Sequence, residues 1–110
     1  MAWPRRKGKF NNKRAVHGGR LYHSKKEADY ARELDLRVRA KELKSWRRQV
    51  PFRLCVNGRL VCTYILDFEE TDTNDNVSYT EVKGYETDVW RLKWILFEAL
   101  YPDVQRRIVQ

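Results

Sequence analysis

The sequence predicts a single α+β domain in which a helix, three antiparallel strands, a second helix and a final strand form one mixed sheet flanked by helices. Three observations predict it: a helix-capping pattern near residue 24, an Asn-Gly hairpin signal between two runs rich in β-branched and aromatic residues, and an almost wholly apolar helix pattern near residue 95. With 110 residues, of which 42% are hydrophobic, the chain can bury one modest core.

The first helix is predicted by Ser24-Lys-Lys-Glu27, a capping box in which a serine starts the helix and a glutamate follows three residues later. The apolar positions that follow recur at helical spacing: Ala31, Leu34 and Val38. We expect this helix to run to about Leu43. Glu27 lies four residues before Ala31, on the buried stripe, so it either caps its own helix or directs a carboxylate at the sheet.

Two strands, at about residues 45–54 and 59–69, are joined by Asn57-Gly58, a strong signal for a two-residue hairpin turn. Pro51 in the first strand lacks an N–H donor, which favours an edge position or a bulge. If the turn alone sets the register, four cross-strand pairs are expected: Leu54 with Val61, Phe52 with Thr63, Val50 with Ile65, and Arg48 with Asp67.

A third strand, at about residues 77–84, follows a polar loop. Side chains alternate along a strand, so Glu81 and Lys83 project from one face and Val82 from the other. An antiparallel return centred near Asn74 would place Glu81 beside Asp67, and cross-strand neighbours lie about 4.5–5.5 Å apart. We therefore expect these two carboxylates to be close enough to share a cation.

The second helix is predicted from Val89 to about Leu100, with Thr87 or Asp88 as its cap and a proline beyond its end. One stripe is aromatic and consists of Trp90, Trp94, Phe97 and Tyr101. Most of the remaining surface is also apolar, which indicates a helix buried on two sides. The second side is either a subunit interface or packed against the N-terminal arm. Residues 104–109 are predicted as a short final strand.

The net charge of +8 is concentrated near the N-terminus. The first 26 residues hold nine Lys and Arg residues and no acid, whereas the rest of the chain holds 14 basic and 15 acidic residues. Residues 1–19 show no periodic pattern and are predicted to be a basic, flexible arm, and residues 20–110 to be the folded domain. The arm either binds a polyanion, since neutralising phosphates releases counterions, or remains a solvated tail.

Several classes of protein are disfavoured by patterns that the sequence lacks. No apolar run approaches 18 residues, and the basic N-terminus has no apolar segment of the secretory-signal type. Cys55 and Cys62 are predicted to be free thiols, which agrees with a cytoplasmic location. No GxxxxGK[ST] loop is present, so we expect no nucleotide cofactor. His17 and His23 do not have the spacing of a zinc site.

Four residues could form a catalytic, metal-binding site: Glu27, Asp67, Glu81 and Lys83. Carboxylate oxygens suit Mg²⁺ or Mn²⁺. Beside a basic arm, such a metal site indicates phosphodiester hydrolysis, in which the metal lowers the pKa of a bound water and polarises the phosphate. Lys83 would hold or activate that water, or stabilise the transition state. The alternative is a buried ion pair between Lys83 and Asp67 or Glu81.

Ile65-Leu-Asp67 followed by Glu81-Val-Lys83 resembles the signature of the PD-(D/E)xK nuclease superfamily, although Leu66 stands where that signature has proline. The chain is also similar to a family of small phage-encoded, formerly uncharacterised proteins over five segments: Ser24-Lys-Lys-Glu27-Ala, Arg48-Gln-Val-Pro-Phe52, Tyr64-Ile-Leu-Asp-Phe68, Glu81-Val-Lys-Gly84 and Leu92-Lys93. This resemblance covers about residues 20–109 and implies a restriction-endonuclease-like core.

The resemblance implies a Mg²⁺- or Mn²⁺-dependent DNA endonuclease that cuts branched, Holliday-junction-like intermediates of phage recombination in the host cytoplasm. The metal contacts that it implies are Glu27, Asp67, Glu81 and Val82, with Lys83 as a catalytic residue. Gln49 belongs to a matching segment, yet the register expected above turns it away from Asp67. Either a bulge near Pro51 turns Gln49 inward, or this residue has a structural role.

The partners expected on this interpretation are DNA and a second copy of the chain, because two active sites on a two-fold axis suit the cutting of two strands. The predicted DNA contacts are basic residues: Arg5, Arg6, Lys7, Lys9, Lys13, Arg14, Arg20, Lys25, Lys26 and Lys93. One alternative is a non-catalytic nucleic-acid-binding module on a nuclease fold. Another is a restriction-type enzyme, although the chain leaves little room for a recognition domain.

Overall fold

The structure, a computed structural model, describes residues 15–110. The elements in this range are β1 (Ala15–His17), β2 (Arg20–Tyr22), α1 (Lys25–Arg39), β3 (Leu43–Val56), β4 (Arg59–Asp72), β5 (Val77–Val82), α2 (Asp88–Leu100) and β6 (Gln105–Val109). The main sheet has the order β3-β4-β5-β6, antiparallel except for the parallel pair β5–β6. The predicted α+β fold with one mixed sheet and two helices is therefore confirmed.

Helix α1 starts where the capping box predicts but ends earlier than expected. The Ser24 hydroxyl accepts a hydrogen bond of 3.2 Å from the Glu27 N–H. At the other end, Lys41 adopts a left-handed conformation with φ of 60°. The Glu42 N–H then donates to the Arg37 carbonyl at 3.0 Å, which closes the last turn in the manner of a Schellman motif. The predicted end at Leu43 is thus wrong, and Leu43 begins β3 instead.

A short hairpin precedes α1. Strands β1 and β2 pair antiparallel through Gly18 and Gly19, whose φ values of 57° and 77° suit a tight turn of mirror-image type. Tyr22 of this hairpin is 1% exposed and packs into the core beside α1. Residues 15–19, which the sequence assigns to the arm, therefore form part of a packed hairpin. Residues 1–14 lie outside the described range.

The hairpin β3–β4 contains a bulge that no sequence signal predicts. Next to the turn, Cys55 pairs with Leu60, but the following pair joins Leu54 to Cys62, so Val61 is an extra residue on β4. The pairs from Leu54–Cys62 to Ser45–Thr71 are shifted by one residue from the predicted register, so that Arg48 pairs with Phe68, and a second irregularity follows between Ser45 and Leu43. The predicted pairs of Leu54, Phe52, Val50 and Arg48 are therefore wrong.

The return from β4 to β5 follows the predicted register. Phe68 pairs with Thr80 and Thr71 with Val77, so the pairing is centred on Asn74. One step beyond the pair Phe68–Thr80, the same register places Glu81 opposite Asp67. Strand β3 lies at the edge of the sheet, which agrees with the position predicted for Pro51.

Two apolar clusters form the core, one around each helix. The α1 cluster consists of Tyr22, Ala28, Tyr30, Ala31, Leu34, Leu43, Phe68 and Val82. The α2 cluster consists of Leu54, Tyr64, Leu66, Trp90, Trp94 and Phe97. Since Leu66 belongs to one cluster and Phe68 to the other, Asp67 lies at the boundary between them.

Helix α2 is capped by Thr87, whose hydroxyl accepts a hydrogen bond of 3.1 Å from the Trp90 N–H. Trp90, Trp94 and Phe97 of its aromatic stripe are buried as predicted, whereas Tyr101 at the end of the helix is half-buried. Its other side is not covered by the described chain, since Val89, Leu92 and Ile95 are 67%, 69% and 55% exposed. Cover by a second subunit stays a prediction, and cover by residues 1–14 concerns a segment outside the described range. Neither α1 nor α2 is long and apolar enough to cross a membrane.

Candidate active site

A cavity of about 430 Å³ opens where the two helices meet the fork between β4 and β5. The sequence-predicted site residues that line it are Glu27, Gln49, Asp67, Glu81, Val82 and Lys83. They come from α1, β3, β4, β5 and the residue that follows β5. The structure thus brings all of the predicted catalytic and metal-contacting residues to one cavity.

Asp67 lies within β4, directly before Phe68, where the pairing between β4 and β5 begins. Its side chain is 9% exposed, and its Oδ2 atom accepts a hydrogen bond of 2.8 Å from the Val82 N–H. Burial, a hydrogen bond with the Glu81 carboxyl group and the charges of Glu81 and Glu27 raise the pKa of Asp67 well above its usual range. Without a bound cation, this environment therefore favours the protonated, neutral form of the Asp67 carboxyl group.

Glu81 is 4% exposed and is held by two donors from the α2 cluster. Its Oε2 atom accepts hydrogen bonds from the Tyr64 hydroxyl and, at 2.9 Å, from the Trp90 indole N–H. Burial, and secondly the charge of Glu81, raise the pKa of Tyr64, so its phenol remains a neutral donor. Neither Tyr64 nor Trp90 is among the site residues that the sequence predicts. The signal that could have identified them is that a buried phenol and indole each need a polar partner.

Glu27 reaches the cavity from the first turn of α1. Its side chain is 9% exposed, and its Oε2 atom is buried without a hydrogen-bond partner among the described residues. A buried carboxylate oxygen with no donor is costly, so a position like this one favours a bound cation or water. Glu27 is predicted either to cap its own helix or to direct its carboxylate at the sheet, and the structure agrees with the second interpretation.

Gln49 enters the cavity because of the bulge at Val61. The pairs on either side of it, Arg48 with Phe68 and Val50 with Leu66, place Gln49 rather than Arg48 opposite Asp67. Its backbone is left-handed with φ of 57°, which is unfavourable for a residue with a Cβ atom. The two register shifts of this hairpin lie between Leu54 and Cys55 and between Leu43 and Ser45, not near Pro51, so the predicted location of the bulge is wrong.

Arg48 lies outside the cavity, against the β1–β2 hairpin. Its guanidinium carbon is 4.0 Å from the Tyr22 ring centroid, and its Nη1 atom donates to the Leu21 carbonyl at 3.1 Å. The predicted contact between Arg48 and Asp67 is therefore replaced by a contact that fastens the hairpin to the sheet.

Lys83 follows β5 directly. Its N–H donates to the Val109 carbonyl at 2.8 Å, which anchors the backbone, and its ammonium lies 5.0 Å from the centroid of the Trp90 ring. No contact within 4.0 Å joins that ammonium to Asp67 or Glu81 in the described part of the chain. The alternative of a direct buried ion pair is therefore not what the structure contains.

The donors around the cavity suit a hard cation. Three carboxylates with no cysteine are the ligand chemistry of Mg²⁺ or Mn²⁺. Among residues 15–110, no three His, Cys, Asp or Glu side chains are already spaced as a complete metal-ligand group.

The predicted DNA contacts divide into three groups. Arg20, Lys25 and Lys26 are exposed near the start of α1, and Lys93 lines the cavity from α2. The others, Arg5, Arg6, Lys7, Lys9, Lys13 and Arg14, lie outside the described residues. His23, for which no metal-binding role is predicted, also lines the cavity.

Comparison with protein families gives one match that covers residues 7–110, to a family described as protein of unknown function (DUF1064). The chain belongs to this family. The match includes the β1–β2 hairpin and every residue of the cavity. Comparisons with curated proteins and with solved structures find no significant match. The family description itself assigns no activity.

Proposed function

We propose that this member of the family is a Mg²⁺- or Mn²⁺-dependent DNA endonuclease that hydrolyses phosphodiester bonds. The observation that carries the proposal is the burial of Glu27, Asp67 and Glu81 around one cavity, with the Lys83 ammonium beside them. A protein gains nothing in stability from grouping three buried carboxylates. A divalent cation offsets that cost, because its charge favours the ionised form of each ligand.

Each residue has a defined role in this proposal. Glu27, Asp67 and Glu81 would hold the cation together with the backbone of Val82. When bound, the metal supplies an activated water and stabilises charge on the phosphate. Lys83 orients that water or stabilises the charge that develops on the phosphate oxygens, and its ammonium is kept near the cavity by the anchored backbone.

The proposed substrate is branched DNA of the kind formed in phage recombination, and the proposed assembly is a homodimer in the host cytoplasm. Support for a polyanionic substrate comes from the basic N-terminal quarter of the chain and from Lys93 at the cavity. Support for the nuclease assignment comes from the similarity to the PD-(D/E)xK signature, whose acidic and lysine positions coincide with the cavity-lining residues Asp67, Glu81 and Lys83. The exposed apolar side of α2 is a candidate surface for the second copy.

The test is a cleavage assay on four-way, flap and linear duplex DNA, with Mg²⁺ or with EDTA. We expect metal-dependent cutting of the branched substrates, its loss in Asp67→Asn, and a decrease of about 10²–10³-fold in Lys83→Ala. Asp29→Asn is the matched control, because Asp29 is exposed on α1 two residues after Glu27. Full activity in Asp67→Asn or Lys83→Ala would remove the mechanism.

A non-catalytic DNA-binding module is the second candidate. It is favoured by one observation, that no complete metal-ligand group is already formed among residues 15–110. This alternative predicts salt-sensitive binding of DNA without cutting at any divalent-metal concentration. The same substrates, measured by binding and by cleavage in parallel, distinguish the two candidates.

A further inference from the structure

One indole contacts both residues of the Glu-x-Lys pair. The Trp90 N–H donates to Glu81 Oε2 at 2.9 Å, and the face of the same side chain lies 5.0 Å from the Lys83 ammonium. The indole N–H is also 2.9 Å from the Tyr64 hydroxyl, which itself donates to Glu81. Trp90, Tyr64 and Glu81 are all less than 10% exposed, so this small network is shielded from water.

We propose that Tyr64 and Trp90 are positioning residues that hold Glu81 and Lys83 in the geometry required to bind the divalent cation and its water. This inference rests on the proposed function, since it gives two further residues a part in the same site. Neither residue touches substrate or metal in this role. Both act through Glu81, and Trp90 acts through Lys83 as well.

Two hydrogen-bond donors on one carboxylate oxygen determine how the Glu81 carboxylate is oriented in the cavity. A glutamate side chain has three rotatable bonds, and ordering it costs up to about 1.5–2 kcal/mol of conformational entropy. The contacts with Tyr64 and Trp90 fix the plane of the carboxylate before any cation arrives. Outer contacts of this kind commonly change metal affinity or activity by about 10- to 100-fold when they are removed.

The contact with Lys83 adds a second effect that is specific to Trp90. An ammonium within about 6 Å of an aromatic centroid is attracted to the face of the ring. This contact holds the Lys83 side chain on the α2 side of the cavity, away from the ion pair that it would otherwise form with the two acids. A cation can then approach Asp67 and Glu81 without displacing the lysine.

A purely structural role for the network makes a different prediction. The hydroxyl of Tyr79 also donates to a glutamate, Glu69, at 2.7 Å, and that pair does not line the cavity. Trp94 stacks on Trp90 at a centroid distance of 5.8 Å and likewise does not line it. If Tyr64 and Trp90 only fill and satisfy the core, replacing them would change stability as these two neighbours do and leave metal binding unchanged.

The experiment measures Mn²⁺ affinity by electron paramagnetic resonance of the free ion, and thermal unfolding without metal, for the full-length protein. The variants are Tyr64→Phe and Trp90→Phe, with Tyr79→Phe and Trp94→Phe as matched controls. We expect the Kd for Mn²⁺ to rise about 10- to 100-fold in the first two and to stay at the wild-type value in the controls. At saturating metal, DNA cleavage by Tyr64→Phe should recover, whereas that of Trp90→Phe should recover only in part, because the smaller phenyl ring attracts the Lys83 ammonium more weakly than indole does.

The outcomes separate this inference from the proposed function. If the wild-type protein binds Mn²⁺ no better than Asp67→Asn, both the proposed metal site and the positioning role are wrong. If Asp67→Asn loses binding while Tyr64→Phe binds Mn²⁺ as the wild type does, the positioning role alone is overturned. If Trp90→Phe does not fold, Tyr64→Phe still tests the positioning role, because it removes one oxygen atom and leaves the ring in place.

Discussion

Glu81 stands opposite Asp67 at the point where the pairing between β4 and β5 stops. Beyond Phe68 and Thr80 the two strands part, and β5 continues along β6 to the pair of Val82 and Val109. Two adjacent acids inside a regular ladder would repel each other across a closed sheet. At the fork they instead face a cavity that can hold a cation.

The first prediction concerns the pH dependence of stability without divalent metal. Because the folded protein raises the pKa of Asp67 above its unfolded value, the protonated form stabilises the fold. This contribution is fully present below the unfolded pKa and is lost progressively as the pH rises toward the folded pKa. We expect the Tm in EDTA to fall between pH 5 and pH 8, measured by circular dichroism, with about 4–8 °C for each 1 kcal/mol of stability removed.

Asp67→Asn is the control for that experiment, because an amide still accepts from the Val82 N–H but carries no charge at any of these pH values. Its Tm should depend less on pH and should exceed that of the wild type at pH 8 in EDTA. Addition of Mg²⁺ should stabilise the wild type and not the variant. A wild-type Tm that rises with pH in EDTA would contradict the raised pKa.

The second prediction is a trade-off at Gln49. Its left-handed backbone is unfavourable by roughly 1–2 kcal/mol for a residue with a side chain and is easily adopted by glycine. Gln49→Gly should therefore raise the free energy of unfolding, by up to about 1 kcal/mol after the greater freedom of glycine in the unfolded chain is subtracted. Cleavage should fall, because the amide that lines the cavity is gone. Urea unfolding and the cleavage assay measure the two effects.

Gln49→Ala separates the two contributions, since it removes the amide and keeps the Cβ atom. It should lose activity like Gln49→Gly without the gain in stability. If both variants cleave DNA as well as the wild type, Gln49 has a structural role only.

The third prediction concerns the buried carboxylate of Glu70, which joins four elements on the α1 side of the sheet. Glu70 is 3% exposed and accepts hydrogen bonds of 2.6 Å from both the Tyr30 and the Thr80 hydroxyls. The guanidinium groups of Arg37 and Arg107 lie 3.4 and 3.6 Å from its Oε1 atom. Tyr30→Phe leaves this carboxylate with one donor fewer, so the free energy of unfolding should fall by about 1–3 kcal/mol in urea titrations.

The matched control for Tyr30→Phe is Tyr101→Phe, which removes an exposed hydroxyl that donates to the Arg53 carbonyl at 2.9 Å. Water can replace that bond, so its loss should be the smaller of the two. Mn²⁺ affinity should stay unchanged in Tyr30→Phe, because Tyr30 does not line the cavity that contains Asp67 and Glu81. An equal loss of stability in both variants would show that Glu70 does not depend on Tyr30.

The convergence of Asp67 and Glu81 could be predicted because symmetric pairing about Asn74 needs only a tight return, and the structure forms one there. The position of Gln49 could not be predicted. It depends on the extra residue Val61, which is 57% exposed and carries no sequence signal for a bulge. The residue at which α1 ends could not be predicted either, since Lys41 adopts the left-handed conformation that glycine usually adopts after a helix.

The network around Glu81 was missed for a different reason. In the sequence, Tyr64 and Trp90 fit the apolar patterns of a strand and a helix, and both patterns are correct because both side chains are buried. A pattern of apolar positions does not reveal where a hydroxyl or an indole N–H points. That direction depends on packing between β4, β5 and α2, which only the folded chain determines.

The fourth prediction concerns the basic N-terminal segment. Removal of residues 1–14 deletes six basic residues, Arg5, Arg6, Lys7, Lys9, Lys13 and Arg14, and leaves the β1–β2 hairpin intact. If these side chains bind phosphates, DNA affinity should fall, and the slope of log K against log salt concentration should become shallower by about 0.9 for each phosphate that is no longer neutralised. Affinity for Mn²⁺ should not change, because within residues 15–110 every residue that lines the cavity follows Tyr22. Fluorescence anisotropy on a four-way junction over a range of salt concentrations measures the slope, and an unchanged slope would show that the segment does not bind DNA.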